Sequence, residues 1–296
     1  MDRRSFLTRC VAASAGWAAL AGSAPDATEK KGPFADAPLR ISAPPGWFPG
    51  DTIEEQLEHI AAWGFPAYEW LGPTGDLDAL RATMDGLGIE ISCICGVGAI
   101  APGQMVAPTQ HDRLIKGFWQ TVKTAQTLGC KNIVGLTGNE RTDVSREEQT
   151  EYVVRCLRRL APIAEGEGVT IVVEPLNVLI DHPGFFLTRT DQMIAILEAV
   201  DSPNVKMLFD IYHQQITEGN VIRNITNNIE RIGHFHIGDN PGRCQPGSGE
   251  LNYKNIFKAI HEAGYRGYLA LECGISQGTT LEQALKYLRN ECLAWS

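Results

Sequence analysis

A chain of 296 residues, 44% hydrophobic and 21% charged, is long enough for one (β/α)8 barrel of about 250 residues and is composed like a folded globular protein. It has no low-complexity tract, and its eight cysteines are sparse for its length, which excludes disordered, collagen-like and disulfide-scaffold classes. A net charge of −9 argues against a nucleic-acid partner, because such binding rests on clustered lysine and arginine.

Residues 1–24 read as an export segment of the twin-arginine type. Asp2-Arg3-Arg4-Ser5-Phe6-Leu7 is followed by an uncharged, alanine-rich stretch from Cys10 to Ala24, with small residues at Ala19, Ala21, Gly22 and Ala24 as cleavage positions. Those 15 residues are too short for a membrane span, so no stable membrane anchor is expected. The expectation is a periplasmic or extracytoplasmic protein that folds and takes up its cofactor before export. A linker then covers 25–38 and a single domain covers 39–296. The cysteines show no paired zinc-type spacing, and no disulfide is expected.

From residue 39 the chain alternates short β-branched runs with longer amphipathic ones. Strands are predicted at 39–43, 67–71, 89–95, 131–136, 169–174, 205–210, 232–237 and 267–272. Helices are predicted between them at 52–63, 111–128, 146–165, 189–199, 253–263 and 279–291. Gly64, Gly88, Gly129, Gly168 and Gly264 each follow a helical run, as C-terminal caps do, while Asp51-Thr52 and Thr188 with Asp191 signal helix starts. Eight strand–helix alternations predict an α/β fold, a single-domain (β/α)8 TIM barrel. An open doubly wound sheet is the alternative, but Ser42-Ala43-Pro44-Pro45-Gly46 is not the glycine-rich phosphate loop that such a sheet carries after its first strand. The 96–110 insertion is a lid candidate over the barrel mouth.

Active sites in this architecture collect at the C-terminal strand ends. The last four strands end at Glu174, Asp210, His236 and Glu272, spaced one strand–helix unit apart. Three converging carboxylates repel one another unless positive charge sits between them, and a divalent cation would supply it. Three oxygen donors and one nitrogen suit Mn2+ or Mg2+, with Co2+ allowed. His234 shares the strand face of His236 one layer deeper and reads as a hydrogen-bonded core histidine. His213, three residues past Asp210, is placed to reach substrate or support a ligand, and Glu69 reads as lining the mouth or forming a salt bridge inside the barrel. Trp47, Phe48 and Trp70 could wall the pocket. Arg243 follows the His236 strand and reads as a clamp for an anionic or oxygen-rich substrate.

The runs EPLN (174–177), FDIYH (209–213), GHFHIGDNPGR (233–243), PGSGELNY (246–253) and LECG (271–274), in this order, resemble the hydroxypyruvate isomerase group of the xylose-isomerase-like barrels. The resemblance is close over roughly 130–296. It implies metal-dependent aldose–ketose isomerisation or epimerisation of a small hydroxy-keto acid or ketose. Glu174 and Glu272 would both touch the metal and move the proton, and Asp210 and His236 would act mainly as ligands. A ketose 3-epimerase and an inosose-type dehydratase share that ligand set. A DNA-repair endonuclease of the same superfamily needs three metals, and the ends of strands two and three, Trp70-Leu71 and Cys95-Gly96, lack the extra ligands. A non-catalytic sugar-binding barrel would be expected to have lost at least one of the four ligands. A homo-oligomer is compatible with the sequence.

Overall fold

The computed structural model describes residues 32–295. The export segment expected at 1–24 and the first part of the 25–38 linker lie outside the described residues. From Gly32 onward the chain is docked on the barrel: Phe34 is buried and stacks on Phe65 at 4.2 Å between ring centroids. Its amide donates to the Trp63 carbonyl at 2.9 Å, and Arg289 Nε donates to the Pro33 carbonyl at 2.7 Å.

The strands are β1 (Arg40–Ala43), β2 (Ala67–Tyr68), β3 (Glu90–Ile91), β4 (Ile94–Gly98), β5 (Asn132–Leu136), β6 (Thr170–Val173), β7 (Val205–Asp210), β8 (Ile232–Ile237) and β9 (Tyr268–Leu271). All pairings are parallel, in the order β3-β2-β1-β9-β8-β7-β6-β5-β4. Eight predicted strands become nine because the third breaks at Ser92-Cys93. Its first half pairs with β2 and its second with β5. The break does not open the ring, since the Ser92 amide donates to the Tyr68 carbonyl at 2.9 Å and the Cys95 amide to the Leu71 carbonyl at 2.8 Å. The result is the expected barrel.

Helices α1 (Ile53–Ala62), α2 (Leu77–Leu87), α3 (His111–Leu128), α4 (Arg146–Glu167), α5 (Thr190–Val200), α6 (Ile211–Thr217), α7 (Val221–Asn228), α8 (Tyr253–Glu262) and α9 (Leu281–Tyr287) follow the strands. Thr52 and Ser145 start α1 and α4 with capping boxes that satisfy amides left free at a helix N-terminus. Gly88, Gly129 and Gly168 end α2, α3 and α4 in the left-handed conformation that glycine adopts without strain. At the start of α5 the N-cap residue Arg189 makes no side-chain cap; Asp191 Oδ1 accepts the Gln192 amide at 2.8 Å, and the Thr190 amide donates to Glu218 Oε1 at 3.1 Å.

Along β8, Phe235 faces the helix layer, where it meets Tyr265 edge-on at 4.8 Å, while His234 and His236 face the barrel axis with Asp210 of β7. The 96–110 segment is a packed wall of the mouth rather than a free lid. Met105 and Val106 are fully buried, and the Asn139 amide donates to the Ala101 carbonyl at 3.0 Å. Its hinge with β5 demands glycine: at Gly98, φ is +77° and a Cβ would stand 1.8 Å from the Leu136 carbonyl oxygen. Among the described residues, no helix is long and apolar enough to cross a membrane.

Candidate active site

Glu174 and Glu272 directly follow β6 and β9, Asp210 ends β7, and His236 is the penultimate residue of β8. Neighbouring parallel strands bring these ends to one rim, so residues far apart in sequence become adjacent. One donor atom from each of the four lies within 4.8 Å of the other three. His236 Nδ1 stands 2.8 Å from Glu272 Oε2 and 3.3 Å from Glu174 Oε1. Asp210 and His236 side chains are 1% exposed and Glu174 9%, whereas Glu272 is 32% exposed and opens toward the mouth.

The donor set fits one divalent cation. Oxygen donors about 2.0–2.1 Å from an octahedral ion stand up to about 4.2 Å apart, a spread that these four can reach with small side-chain adjustments. Positive charge is already present, however. Arg243 Nη2 lies 2.5 Å from Glu272 Oε2 and 3.0 Å from Asp210 Oδ2, and the ring of His236 sits between Glu174 and Glu272. The repulsion that the sequence reading assigned to a cation is thus partly met by the chain's own guanidinium.

These neighbours split the two glutamates. Burial pushes Glu174 up, the nearby Glu272 and Asp210 add to the rise, and its carboxyl reaches about 7 despite a hydrogen bond with His236. Burial also opposes ionisation of Glu272, but Arg243 and His236 outweigh it and hold that carboxyl well below the usual range. Burial lowers the proton affinity of His236, yet Glu272 and Glu69 override it, and the imidazole is raised well above its ordinary value. Two carboxyl groups that meet one imidazole on one rim are placed as an acid–base pair would be.

Arg243 is placed by the loop that follows β8. Asp239, fully buried, accepts amides from Gly247 at 2.8 Å and Leu251 at 3.1 Å, which folds 239–251 back on itself. Gly249 fits this fold because a Cβ there would meet the Asn240 carbonyl oxygen at 2.2 Å. Arg243 itself adopts φ +51° and lays its guanidinium 5.2 Å from the Tyr212 ring centroid. The Gly247–Glu250 turn leads into α8, where Asn252 Oδ1 accepts the Asn255 amide at 3.1 Å.

His213 lies on α6, which Asp210 caps through a 3.1 Å bond from the His213 amide. Its Nδ1 receives Asn177 Nδ2 at 2.6 Å, so the neutral ring carries its hydrogen on Nε2, 3.5 Å from Asp210 Oδ2. Burial, with Arg243 adding to it, keeps this imidazole well below its ordinary proton affinity. Asn177 is fixed in turn by accepting the Ile180 and Asp181 amides and donating to Asp181 Oδ2 at 2.8 Å. His182, its ring centroid 5.2 Å from that of His213, joins this side of the site. Neither Asp181 nor His182 is expected at the site from the sequence, and Asn177 enters there only as the end of the EPLN run. The polar cluster in Asn177-Val178-Leu179-Ile180-Asp181-His182, directly after Glu174, was the available signal.

Glu69 and His234 form a deeper layer. His234 Nε2 donates to Glu69 Oε2 at 2.7 Å, which places His234 as the hydrogen-bonded core histidine expected and Glu69 inside the barrel. Trp47 reaches the rim by donating Nε1 to the Cys273 carbonyl at 2.8 Å.

A family model described as Xylose isomerase-like TIM barrel matches residues 57–291. The hydroxypyruvate isomerase of Escherichia coli K12 is 34% identical over 250 residues, covering 81% of this chain and 85% of that protein. The 2-oxo-tetronate isomerase of Cupriavidus necator is 33% identical over 235 residues, covering 76% and 88% respectively. Among solved structures, the apo 3-keto-D-glucoside 4-epimerase of E. coli superposes with a TM-score of 0.73 at 23% identity, over 84% of this chain and 97% of that one, a likeness of fold.

Proposed function

The chain belongs to the xylose isomerase-like TIM barrel family and is an isomerase or epimerase acting on sugars or keto acids, and within that class we propose a metal-dependent, hydroxypyruvate isomerase-like enzyme working by proton transfer through an enediolate. The observation that carries this reading is the pair Glu174 and Glu272, both at one cluster of four donors and both turned to Nδ1 of His236. A divalent cation held by Glu174, Asp210, His236 and Glu272, Mn2+ or Mg2+ with Co2+ allowed, would polarise a carbonyl and its neighbouring hydroxyl and so acidify the carbon-bound proton.

The chain's own residues then divide the work. With hydroxypyruvate, one glutamate takes a proton from the hydroxymethyl carbon and the electron pair passes into the enediolate. The other glutamate returns a proton to the central carbon, giving the aldehyde isomer, 2-hydroxy-3-oxopropanoate. One hydroxyl proton also passes between the two oxygens. Arg243 is suited to hold the substrate carboxylate or hydroxyls in a two-point grip. The same glutamate pair could invert a single carbon by removing its proton on one side and replacing it on the other, as a ketose epimerase would. Turnover on a panel of small keto acids and ketoses separates these readings: activity confined to ketoses with inversion would replace the isomerase assignment.

Arg243→Lys keeps the charge and loses the planar fork. A charge-assisted bond is worth about 1.5–3 kcal/mol, so kcat/KM should fall by roughly one to two decades. Unchanged kinetics would assign Arg243 to loop structure alone.

Cation binding should strengthen as pH rises. His236 and Glu174 are both raised in the cation-free cluster, Glu174 to about 7 and His236 well above its ordinary value, so both hold protons that a cation must displace at lower pH. Above about 7 Glu174 is ionised and its part of the competition is gone, while the proton on His236 continues to oppose the cation until the pH rises further. Calorimetry with Mn2+ in buffers of different ionisation enthalpy should report proton release near pH 6–7; affinity independent of pH would contradict the assigned ligands.

Export by the twin-arginine route is part of the proposal and rests on residues 1–24. Replacing Arg3 and Arg4 with lysine should retain the protein in the cytoplasm on cell fractionation, and unchanged export would remove this element.

A further inference from the structure

Below the rim, Glu69 reaches from the end of β2 across the barrel to β8, with β1 and β9 between them in the ring, and its side chain is 4% exposed. Its carboxylate serves two histidines at once. Oε2 accepts His234 Nε2 at 2.7 Å and Ser92 Oγ at 3.0 Å, while Oε1 stands 2.9 Å from His236 Nε2, an ion-pair contact off the hydrogen-bond line. Ser92 Oγ continues to Ser42 Oγ at 2.7 Å, so the carboxylate is braced from the β1 side as well. The two rings sit on the same face of β8, 5.3 Å apart and at 84° to each other. Cys93 lies close enough to make a third donor beside Glu69 and His234, but the Glu69 oxygens are already engaged, and the group reads as a brace.

His236 has two ring nitrogens, and only one can serve the rim. With Nε2 turned to Glu69, Nδ1 is left facing Glu272 and Glu174. A carboxylate set against the far nitrogen of an imidazole favours the tautomer and orientation that leave the near nitrogen free, and makes it a more basic ligand. We infer that Glu69 is a positioning residue for His236, a buried carboxylate that never meets substrate but presents Nδ1 to the four-donor cluster. His234 and Ser92 hold Glu69 in turn, which gives these deep polar residues a purpose that apolar packing would not serve. The inference rests on the proposed role of His236 as a ligand.

The test compares Glu69→Gln, which removes the charge at nearly constant shape, with Glu69→Asp, which keeps the charge but shortens the reach. The readouts are Mn2+ affinity, from electron paramagnetic resonance of the free ion, and thermal stability. Loss of a partner that supports a ligand typically weakens metal binding about 10–100-fold, and that is expected for Glu69→Gln, with Glu69→Asp in between. In a His236→Ala background, Glu69→Gln should have no further effect on Mn2+ affinity. A variant that melts earlier but binds Mn2+ as the parent does would overturn the inference, as would a full additional loss in the His236→Ala background. If the parent binds no Mn2+, the metal reading itself fails, and imidazole 15N spectra decide on Glu69: the His236 Nε2 resonance should shift in Glu69→Gln, and an unchanged resonance refutes the positioning role.

Discussion

Glu174→Gln and Glu272→Gln are each expected to lower kcat about 10²–10⁴-fold, the range over which a positioned acid or base typically contributes. Glutamine keeps the size and one oxygen donor of each residue, so the barrel should fold as before. Both residues also belong to the donor cluster, and the comparison therefore has to be made at saturating Mn2+, where weaker ion binding no longer limits turnover. The losses should overlap rather than add, because removing either partner stops the same proton relay. Substantial activity in either variant at saturating ion would remove that glutamate from the chemistry.

The second large effect is on ion binding itself. Asp210 and His236 are 1% exposed and sit at the centre of the cluster, and neither is assigned a proton-transfer role. His236→Ala or Asp210→Asn should weaken Mn2+ binding by more than the roughly 10–100-fold attached to an outer partner, and should abolish turnover at ordinary ion concentrations. Asp210→Asn has a further consequence, since Asp210 also caps α6 and faces Arg243. An accompanying fall in melting temperature is expected for Asp210→Asn and smaller for His236→Ala. Chelator-treated enzyme should be inactive and recover with Mn2+; equal activity with and without chelator would contradict the metal assignment.

The rim quartet was legible because a parallel barrel writes it into the chain as a periodic signal. Glu174, Asp210, His236 and Glu272 each close a β-branched run, and the architecture makes the ends of such runs neighbours. The break at Ser92-Cys93 was not legible, since 89–95 reads as one unbroken apolar strand and only its two different partners divide it. Helices α6 and α7, seven and eight residues long, are too short to show a period. Arg243 was found as a residue but not its place among the carboxylates, which depends on the fold that Asp239 imposes on 239–251. Glu69 shows the same limit, because a side chain that reaches across a barrel leaves no mark in its local sequence. Its pairing with His234 and His236 comes from the ring of strands, 165 residues away in the chain.

Turnover of hydroxypyruvate in D2O tests the two-glutamate proton transfer most directly. Proton removal to a glutamate that exchanges with solvent places deuterium on the carbon that becomes reprotonated, and mass spectrometry of the product should find it there. The label should disappear together with activity in Glu174→Gln and Glu272→Gln. A product that keeps the substrate's own hydrogen, carries no solvent deuterium, and still forms at a substantial rate in either variant would show a hydride shift between carbons and contradict the account.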